Sequence, residues 1–169
     1  MVEEIIGQAL GIIATIITFI SYQANTKKSV LLILSTAIFC TTLSYFFLGA
    51  TSGFALNIVC LARNAVFYFQ KEGTKLQYIS AGVFAVIMVL VGMMSWQGAI
   101  SLLIMLALAI NTVILSMGVP QLLRKSILLT STMVLIYNIF VFSIGGIANE
   151  SIAIISAVVG IIRYKKEQI

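Results

Sequence analysis

The distribution of basic residues along this strongly apolar chain constrains its fold more than any other sequence feature. Hydrophobic residues fill 61% of the 169 positions and charged residues 9%, whereas a soluble domain carries about 25% charged residues. When the apolar stretches are threaded through a bilayer as seven helices, the ten lysines and arginines fall on or toward one side. Cytoplasmic loops of inner-membrane proteins collect such residues. The sequence therefore predicts seven spans with the N-terminus outside and the C-terminus in the cytoplasm.

The apolar stretches leave room only for short loops. A membrane helix needs about 20 apolar residues, and glycine- or asparagine-containing turns separate the stretches. We therefore predict an all-α membrane protein in which residues 1–169 form a single membrane domain of a bacterial inner membrane. The predicted spans are residues 5–23, 29–48, 51–70, 77–95, 98–118, 126–145 and 148–164.

The composition argues against several classes of function. The chain has no histidine and no aspartate, so no nucleophile–base pair can be assembled and an enzyme is not expected. Cys40 and Cys60 lie in apolar spans, where buried thiols act as small hydrophobic groups, and we predict neither a metal site nor a cofactor. The net charge of +5 is read as a topology signal, and nucleic acid is not an expected partner.

An internal repeat divides the predicted spans into two units. Lys28-Ser29 matches Lys125-Ser126 and Gly49 matches Gly146, in both cases 97 positions apart. The two units are the first three spans, residues 5–70, and the last three, residues 98–164, joined by an unpaired linker helix over residues 77–95. A single linking helix gives both units the same orientation, and transporters with such parallel repeats are known.

Short motifs at two predicted loops resemble a known superfamily. Residues 119–126, Val-Pro-Gln-Leu-Leu-Arg-Lys-Ser, resemble the PQ-loop signature, and residues 22–29 resemble it with tyrosine in place of proline. The signature residues are Pro120, Gln121 and Gln23. The three-one-three arrangement of helices resembles the SWEET sugar-transporter fold.

A second resemblance covers nearly the whole chain. The pattern Tyr45-Phe46-Phe47-Leu48-Gly49, followed by Leu56-Asn57, Arg63 and Ile161-Ile162-Arg163-Tyr164, resembles the YgjV-type bacterial inner-membrane family. The superfamily resemblance implies a transport function with Asn57 in the place of a pocket asparagine. In the corresponding stretch of the seventh span, Ser156 is the nearest polar residue.

Polar side chains inside the predicted spans are the candidates for a solute site. In hydrocarbon such groups usually face a partner or a cavity, and an amide offers both donors and acceptors to a solute. The alternative role is hydrogen bonding between helices. The candidates are Asn57, Asn111, Asn138 and Tyr45.

Arg63 is the remaining candidate and has two interpretations. No acidic residue lies well inside an apolar span to neutralise it. Its guanidinium group could bind a carboxylate or phosphate of the solute. Alternatively, the side chain extends to the cytoplasmic headgroups, as the similar placement of Arg163 near the end of the seventh span suggests.

Taken together, these features predict a small inner-membrane transporter or facilitator. Its partners would be the lipid bilayer and a small polar metabolite, either a sugar or a small organic anion, carried by alternating access. The alternative is a non-transporting scaffold or assembly protein. The small-residue spacing of Gly7 and Gly11 indicates tight helix packing within the bundle or, as an open alternative, a homo-oligomer.

Overall fold

The computed structural model describes residues 2–21, 27–71, 73–117 and 120–166, which form seven α-helices and, within these ranges, no β-strand. The helices are α1 (Val2–Ser21), α2 (Lys27–Phe47), α3 (Thr51–Phe69), α4 (Lys75–Met94), α5 (Ser101–Ser116), α6 (Pro120–Phe140) and α7 (Ile144–Lys166).

The surface of the helix bundle is apolar. Large hydrophobic side chains such as Ile16, Val86 and Ile155 are more than half exposed, and a surface of this kind requires hydrocarbon rather than water around it. Three helices, α1, α3 and α4, meet the length and hydropathy expected of a membrane span, and the other four contain shorter apolar segments. The predicted fold class, an all-α membrane protein with seven transmembrane helices, is confirmed.

The sixth helix departs most from its predicted bounds. It begins at Pro120 and ends at Phe140, whereas the predicted span was 126–145. Proline suits the first position of a helix, because the N–H group it lacks has no intrahelical partner there. The prediction also ran across the turn at residues 141–143, where Phe142 has a φ of 54°. The other helices begin and end within four residues of their predicted spans.

The bundle has two chemically different ends. The hairpin end holds the α2–α3 turn, the α4–α5 connection and the α6–α7 turn. The basic end, at the other ends of the same helices, holds the exposed residues Lys28, Lys71, Lys75 and Lys125. This distribution matches the charge asymmetry on which the predicted topology depends.

Contacts between helices follow a repeated pattern. We call α1, α2 and α3 the first triplet and α5, α6 and α7 the second triplet. Within each triplet the middle helix packs against both others, α1 packs against α7, and α5 packs in the same way against α3. Helix α4 packs against α3 and α5. Within the described residues, each of these contacts between triplet helices thus has a counterpart, as a twofold relation requires. The division into two repeats stays a prediction.

The α2–α3 and α6–α7 turns have equivalent backbone hydrogen bonds, made by residues that lie 93 positions apart in the sequence. We call this offset the 93-residue register. Gly49 in the first turn and Phe142 in the second both have a positive φ, 70° and 54° respectively. The corresponding bonds are Leu48 N to Ser44 O (3.0 Å) and Ala50 N to Tyr45 O (2.9 Å), against Val141 N to Tyr137 O (3.1 Å) and Ser143 N to Asn138 O (2.9 Å). The sequence predicted that corresponding residues of the two units lie 97 positions apart, so the predicted spacing is four residues too long for these two hairpins.

The two triplets cross at two points near the hairpin end. A Cβ atom added to Gly145 would overlap the backbone of Gly11, and at the other crossing the hydroxyl oxygens of Ser52 and Ser101 lie 2.8 Å apart. In the 93-residue register Ser52 corresponds to Gly145. Gly7, the other member of the small-residue pair, packs against Leu48 of α2. Both glycines therefore serve packing inside the bundle.

Two glutamines hold turns across the boundary between the triplets: Gln8 of the first triplet, and Gln97 in the connection that leads into the second. The Gln8 side chain donates to Phe142 O and accepts from Ile144 N at 2.9 Å. Gln97, just before α5, donates to Gly49 O at 2.9 Å and accepts from Ser52 N at 3.2 Å. These bonds close the hairpin end of the bundle.

Candidate functional site

A buried hydrogen-bonded group, which we call the tyrosine cluster (Tyr45, Gly53, Tyr137 and Asn138), lies near the hairpin end. The Tyr45 hydroxyl donates to Asn138 Oδ1 at 2.6 Å, and Gly53 N donates to the Tyr137 hydroxyl at 2.9 Å. The tyrosine rings meet edge to face with centroids 5.9 Å apart. Tyr45 and Asn138 correspond in the 93-residue register, so their bond joins equivalent positions of the two triplets.

Glycines let α3 and α7 approach this cluster closely. A Cβ atom at Gly53 would lie 2.6 Å from the Tyr45 ring, and one at Gly146 would lie 2.5 Å from the Asn138 amide. Gly53 and Gly146 also correspond in the 93-residue register. The cluster therefore needs small residues on both helices that pack against it.

Two buried amides near the cluster have unused hydrogen-bonding groups. Asn138 is fully buried, and its Nδ2 atom has no hydrogen-bond partner in the part of the chain that the structure describes. Asn57 is 8% exposed, and within the described residues its side chain makes no hydrogen bond. Asn57 lies one helical turn after Gly53, on the face that α3 turns toward the tyrosines. Unpartnered buried polar groups are rare in folded proteins and call for an explanation.

Glu150 occupies the position on α7 that Asn57 occupies on α3. Its carboxylate accepts from Asn149 Nδ2 at 3.1 Å, and Ser131 of α6 adds a second side-chain hydrogen bond. The sequence analysis named Ser156 as the polar residue nearest the counterpart of Asn57. The shorter register corrects this, and the counterpart is an acid in the second turn of α7.

A second polar group, the arginine cluster (Ser35, Arg63, Asn64 and Thr112), lies nearer the basic end. Arg63 Nη1 donates to Thr112 Oγ1 at 2.7 Å. Its Nε and Nη2 atoms both donate to Asn64 Oδ1, at 3.2 and 2.9 Å, and Asn64 Nδ2 donates to Ser35 Oγ at 3.4 Å. The cluster thus links α2, α3 and α5.

Arg63 does not extend to the headgroups in this structure. The residue is only 4% exposed and lies six residues before the end of α3, roughly 9 Å from the basic end at the rise of an α-helix. The comparison with Arg163 also fails, because Arg63 corresponds to Ser156 in the 93-residue register. Of the two interpretations of Arg63, the extended one is contradicted by its burial.

The other predicted candidates lie elsewhere. Asn111 is half-buried on α5 and belongs to neither cluster. Pro120 and Gln121 form the start of α6, and their side chains lie outside what the structure describes; Gln23 lies outside the described residues altogether.

An open cleft of about 510 Å³ between α4 and α5 is not a polar site. Its lining consists of alanine, valine, leucine and isoleucine side chains, among them Ala85, Val89, Ala109 and Val113. On the surface of a membrane bundle such a cleft suits an acyl chain. Within the described residues, no group of three potential metal ligands is present either.

Sequence reasoning missed several residues of the two clusters. Tyr137 and Asn64 were visible as polar residues in apolar spans, but nothing in the local pattern distinguished them from residues that pair helices. Thr112 has no sequence signal, because its importance comes from a bond to Arg63, 49 positions away. Gln8 and Gln97 likewise act through turns distant in the chain.

The fold and the site define a class of protein: a seven-helix membrane protein with an apolar surface and polar clusters in its interior. The chain belongs to the Imp-YgjV family of bacterial inner membrane proteins, whose sequence model matches residues 5–168. No curated protein and no solved structure matches the chain at the threshold applied.

Proposed function

We propose that this protein is an inner-membrane transporter or facilitator that carries a small polar solute by alternating access between two three-helix units. The observation that carries the proposal is a pair of buried amides where the two triplets meet: within the described residues, the Asn57 side chain makes no hydrogen bond, and Asn138 uses its Oδ1 but not its Nδ2. A solute with hydroxyl, carbonyl or carboxylate groups would complete their hydrogen bonds. Binding at the interface between two repeats is the common plan of repeat-built transporters.

The contacts between the triplets support a rocking motion. The glutamine bonds and the Tyr45–Asn138 bond close the hairpin end, and each is worth about 0.5–1.5 kcal/mol net. Opening this end would exchange a small number of such bonds for contacts with water or solute. The packed cores of the two triplets would stay intact, as in rigid-body domain motion.

One buried face of α3 carries residues of both clusters, with Asn57 between them. Gly53, Asn57 and Asn64 are spaced by four and seven residues, so they lie on one helical face, and each is buried. Nine residues of α3 are buried in total, which makes it the central helix of the bundle. A solute released from Asn57 would next meet Asn64 and Arg63 on its way to the basic end.

The proposed topology places the hairpin end outside and the basic end in the cytoplasm. Single cysteines at Ala99 and Lys71 test it, since both residues are exposed and lie at opposite ends of the bundle. In a Cys40→Ala, Cys60→Ala background, a membrane-impermeant maleimide added to whole cells should label position 99 only. Labelling of both positions from the same side would remove the seven-span topology.

Solute flux through reconstituted vesicles tests the transport proposal. We expect purified protein to accelerate the osmotic swelling of proteoliposomes in at least one solute of a set that includes glycerol, glucose and sodium lactate. Asn57→Ala should reduce this flux at least tenfold with little change in thermal unfolding. Thr132→Ala is the matched control, because Thr132 is exposed and bonds only to its own helix.

Two results would contradict transport. The first is the absence of any flux above that of empty liposomes for the whole solute set. The second is an Asn57→Ala variant that keeps full flux but loses stability, which would reduce Asn57 to a helix-pairing residue and favour a non-transporting scaffold.

A further inference from the structure

Arg63 carries a positive charge into the interior of the bundle without a counter-charge. Within the described residues no carboxylate lies within 4.0 Å of its guanidinium group; the acids described are Glu3, Glu4 and Glu150, all toward the hairpin end. A buried ionised group is costly unless it is paired. Thr112 and Asn64 supply neutral oxygens only, which satisfy hydrogen bonds but leave the charge uncompensated.

The guanidinium group also keeps free donors. It has five N–H groups, of which Thr112 and Asn64 use three: one each on Nε, Nη1 and Nη2. One N–H on each terminal nitrogen is left over. A carboxylate or phosphate, with two oxygens on one centre, matches two such donors better than a neutral hydroxyl does.

The described neighbours of Arg63 add no negative charge that would repel an anion. Ser35 of α2, Cys60 of α3 and Thr112 of α5 are neutral, and Met88 of α4 lies against Thr112 with its sulfur 3.3 Å from Oγ1. The basic end, where α2, α3 and α4 begin or terminate, holds the exposed residues Lys28, Lys71 and Lys75. These lysines would raise the local concentration of anions at the entrance.

We propose that Arg63, held by Thr112 and Asn64, is the binding site for the carboxylate or phosphate group of a small soluble anion. The inference rests on the proposed function, because it names the class of the carried solute: an organic anion rather than a neutral sugar. A lipid phosphate has the same chemistry, but the 4% exposure of Arg63 places it away from the lipid-facing surface.

Anion binding can be measured on the purified protein without transport. In a neutral detergent, thermal unfolding is followed while sodium lactate or inorganic phosphate replaces sodium chloride at constant ionic strength. We expect at least one of the two anions to raise the midpoint by several degrees in a saturable manner. Arg63→Gln should weaken this binding at least tenfold, whereas Lys125→Gln, which removes the same charge from the exposed surface of α6, should keep it.

A second variant keeps the test decisive if Arg63→Gln does not fold. Asn64→Asp places a carboxylate where the amide oxygen already accepts two bonds from Arg63. We expect this variant to unfold at a higher temperature than the natural protein without added anion and to lose the anion-dependent shift. Asn138→Asp, the same change where no cation lies nearby, should instead lower the midpoint.

Three outcomes overturn the assignment. One is an anion-dependent shift that survives at full size in Arg63→Gln. Another is that Asn64→Asp lowers the midpoint of thermal unfolding as much as Asn138→Asp does. The third is stabilisation through Arg63 by phosphatidylglycerol but by neither soluble anion.

Failure of the two proposals can be told apart. Arg63-dependent anion binding with no flux of any solute would leave the anion site and remove the transporter. Flux of glycerol or glucose that depends on Asn57, with no anion binding, would leave the transporter and remove the anion site.

Discussion

The tyrosine cluster and the arginine cluster share helix α3 but differ in their relation to the repeated pattern. In the tyrosine cluster, Tyr45 corresponds to Asn138 and Gly53 to Gly146, and the glycines make equivalent contacts. In the arginine cluster, Arg63 corresponds to Ser156 and Asn64 to Ala157 in the same register, so its bonds have no counterpart. Symmetric contacts near the hairpin end hold the two triplets together. The asymmetric cluster is the one to which we assign the proposed anion.

The largest effect is expected from a substitution where α7 crosses α1. Gly145→Val should destabilise the protein by at least about 3 kcal/mol or prevent folding, because the added side chain overlaps the backbone of Gly11 and neither helix can move without disturbing the interface. Gly82→Val is the control, since nothing lies within 4 Å of a Cβ atom there. Thermal unfolding in detergent measures both, and equal losses would show that α1 and α7 are not so closely packed.

The next effect concerns the asymmetric cluster. Thr112→Val removes an acceptor from the buried Arg63 and should lower the free energy of unfolding by about 2 kcal/mol, the range for leaving a charged group partly unsatisfied. Chemical denaturation in mixed micelles measures this change.

Thr130→Val is a matched control for that prediction. Both threonines are buried and bond a carbonyl of their own helix, Leu108 O at 2.7 Å and Ser126 O at 3.0 Å, but only Thr112 also accepts from Arg63. We expect the control to lose less than half as much, and equal losses would argue that the bond to Arg63 contributes nothing.

A smaller effect tests whether the two triplets are coupled through the Tyr45–Asn138 bond. A double-mutant cycle of Tyr45→Phe and Asn138→Leu should give a coupling energy of about 1 kcal/mol. Combining Tyr45→Phe with Thr112→Val should be additive to within about 0.5 kcal/mol, because the two sites share no partner. Additivity in both pairs would mean that the bond does not join the triplets.

The smallest effect compares the two turns. Gly49 and Phe142 hold the same left-handed position, which costs a non-glycine residue roughly 1–2 kcal/mol. Gly49→Ala should therefore lower stability by about 1 kcal/mol, and Phe142→Gly should raise it by a few tenths, because glycine's extra backbone entropy offsets part of the relief. Thermal midpoints of the two variants should move in opposite directions, and a shared direction would contradict the equivalence of the turns.

Local sequence determined the number of helices, their membrane setting and the gathering of lysines at one end. Those properties depend on runs of apolar residues and on charges beside them, which are readable without knowing what any helix contacts. Of the candidate site, the same information found Tyr45, Asn57, Asn138 and Arg63, because each is a polar or charged side chain in an apolar stretch.

Only the tertiary structure decided how those residues are used. The displaced register, with Glu150 as the counterpart of Asn57, follows from the turn geometry at Phe142, which a match of glycines could not detect. Buried Arg63 has a hydrogen-bond acceptor in Thr112, 49 positions away. That threonine faces Arg63 only because α3 packs against α5. Such partnerships depend on where helices cross, and the crossing points are set by small residues on two helices at once. A single stretch of sequence carries only one side of that information.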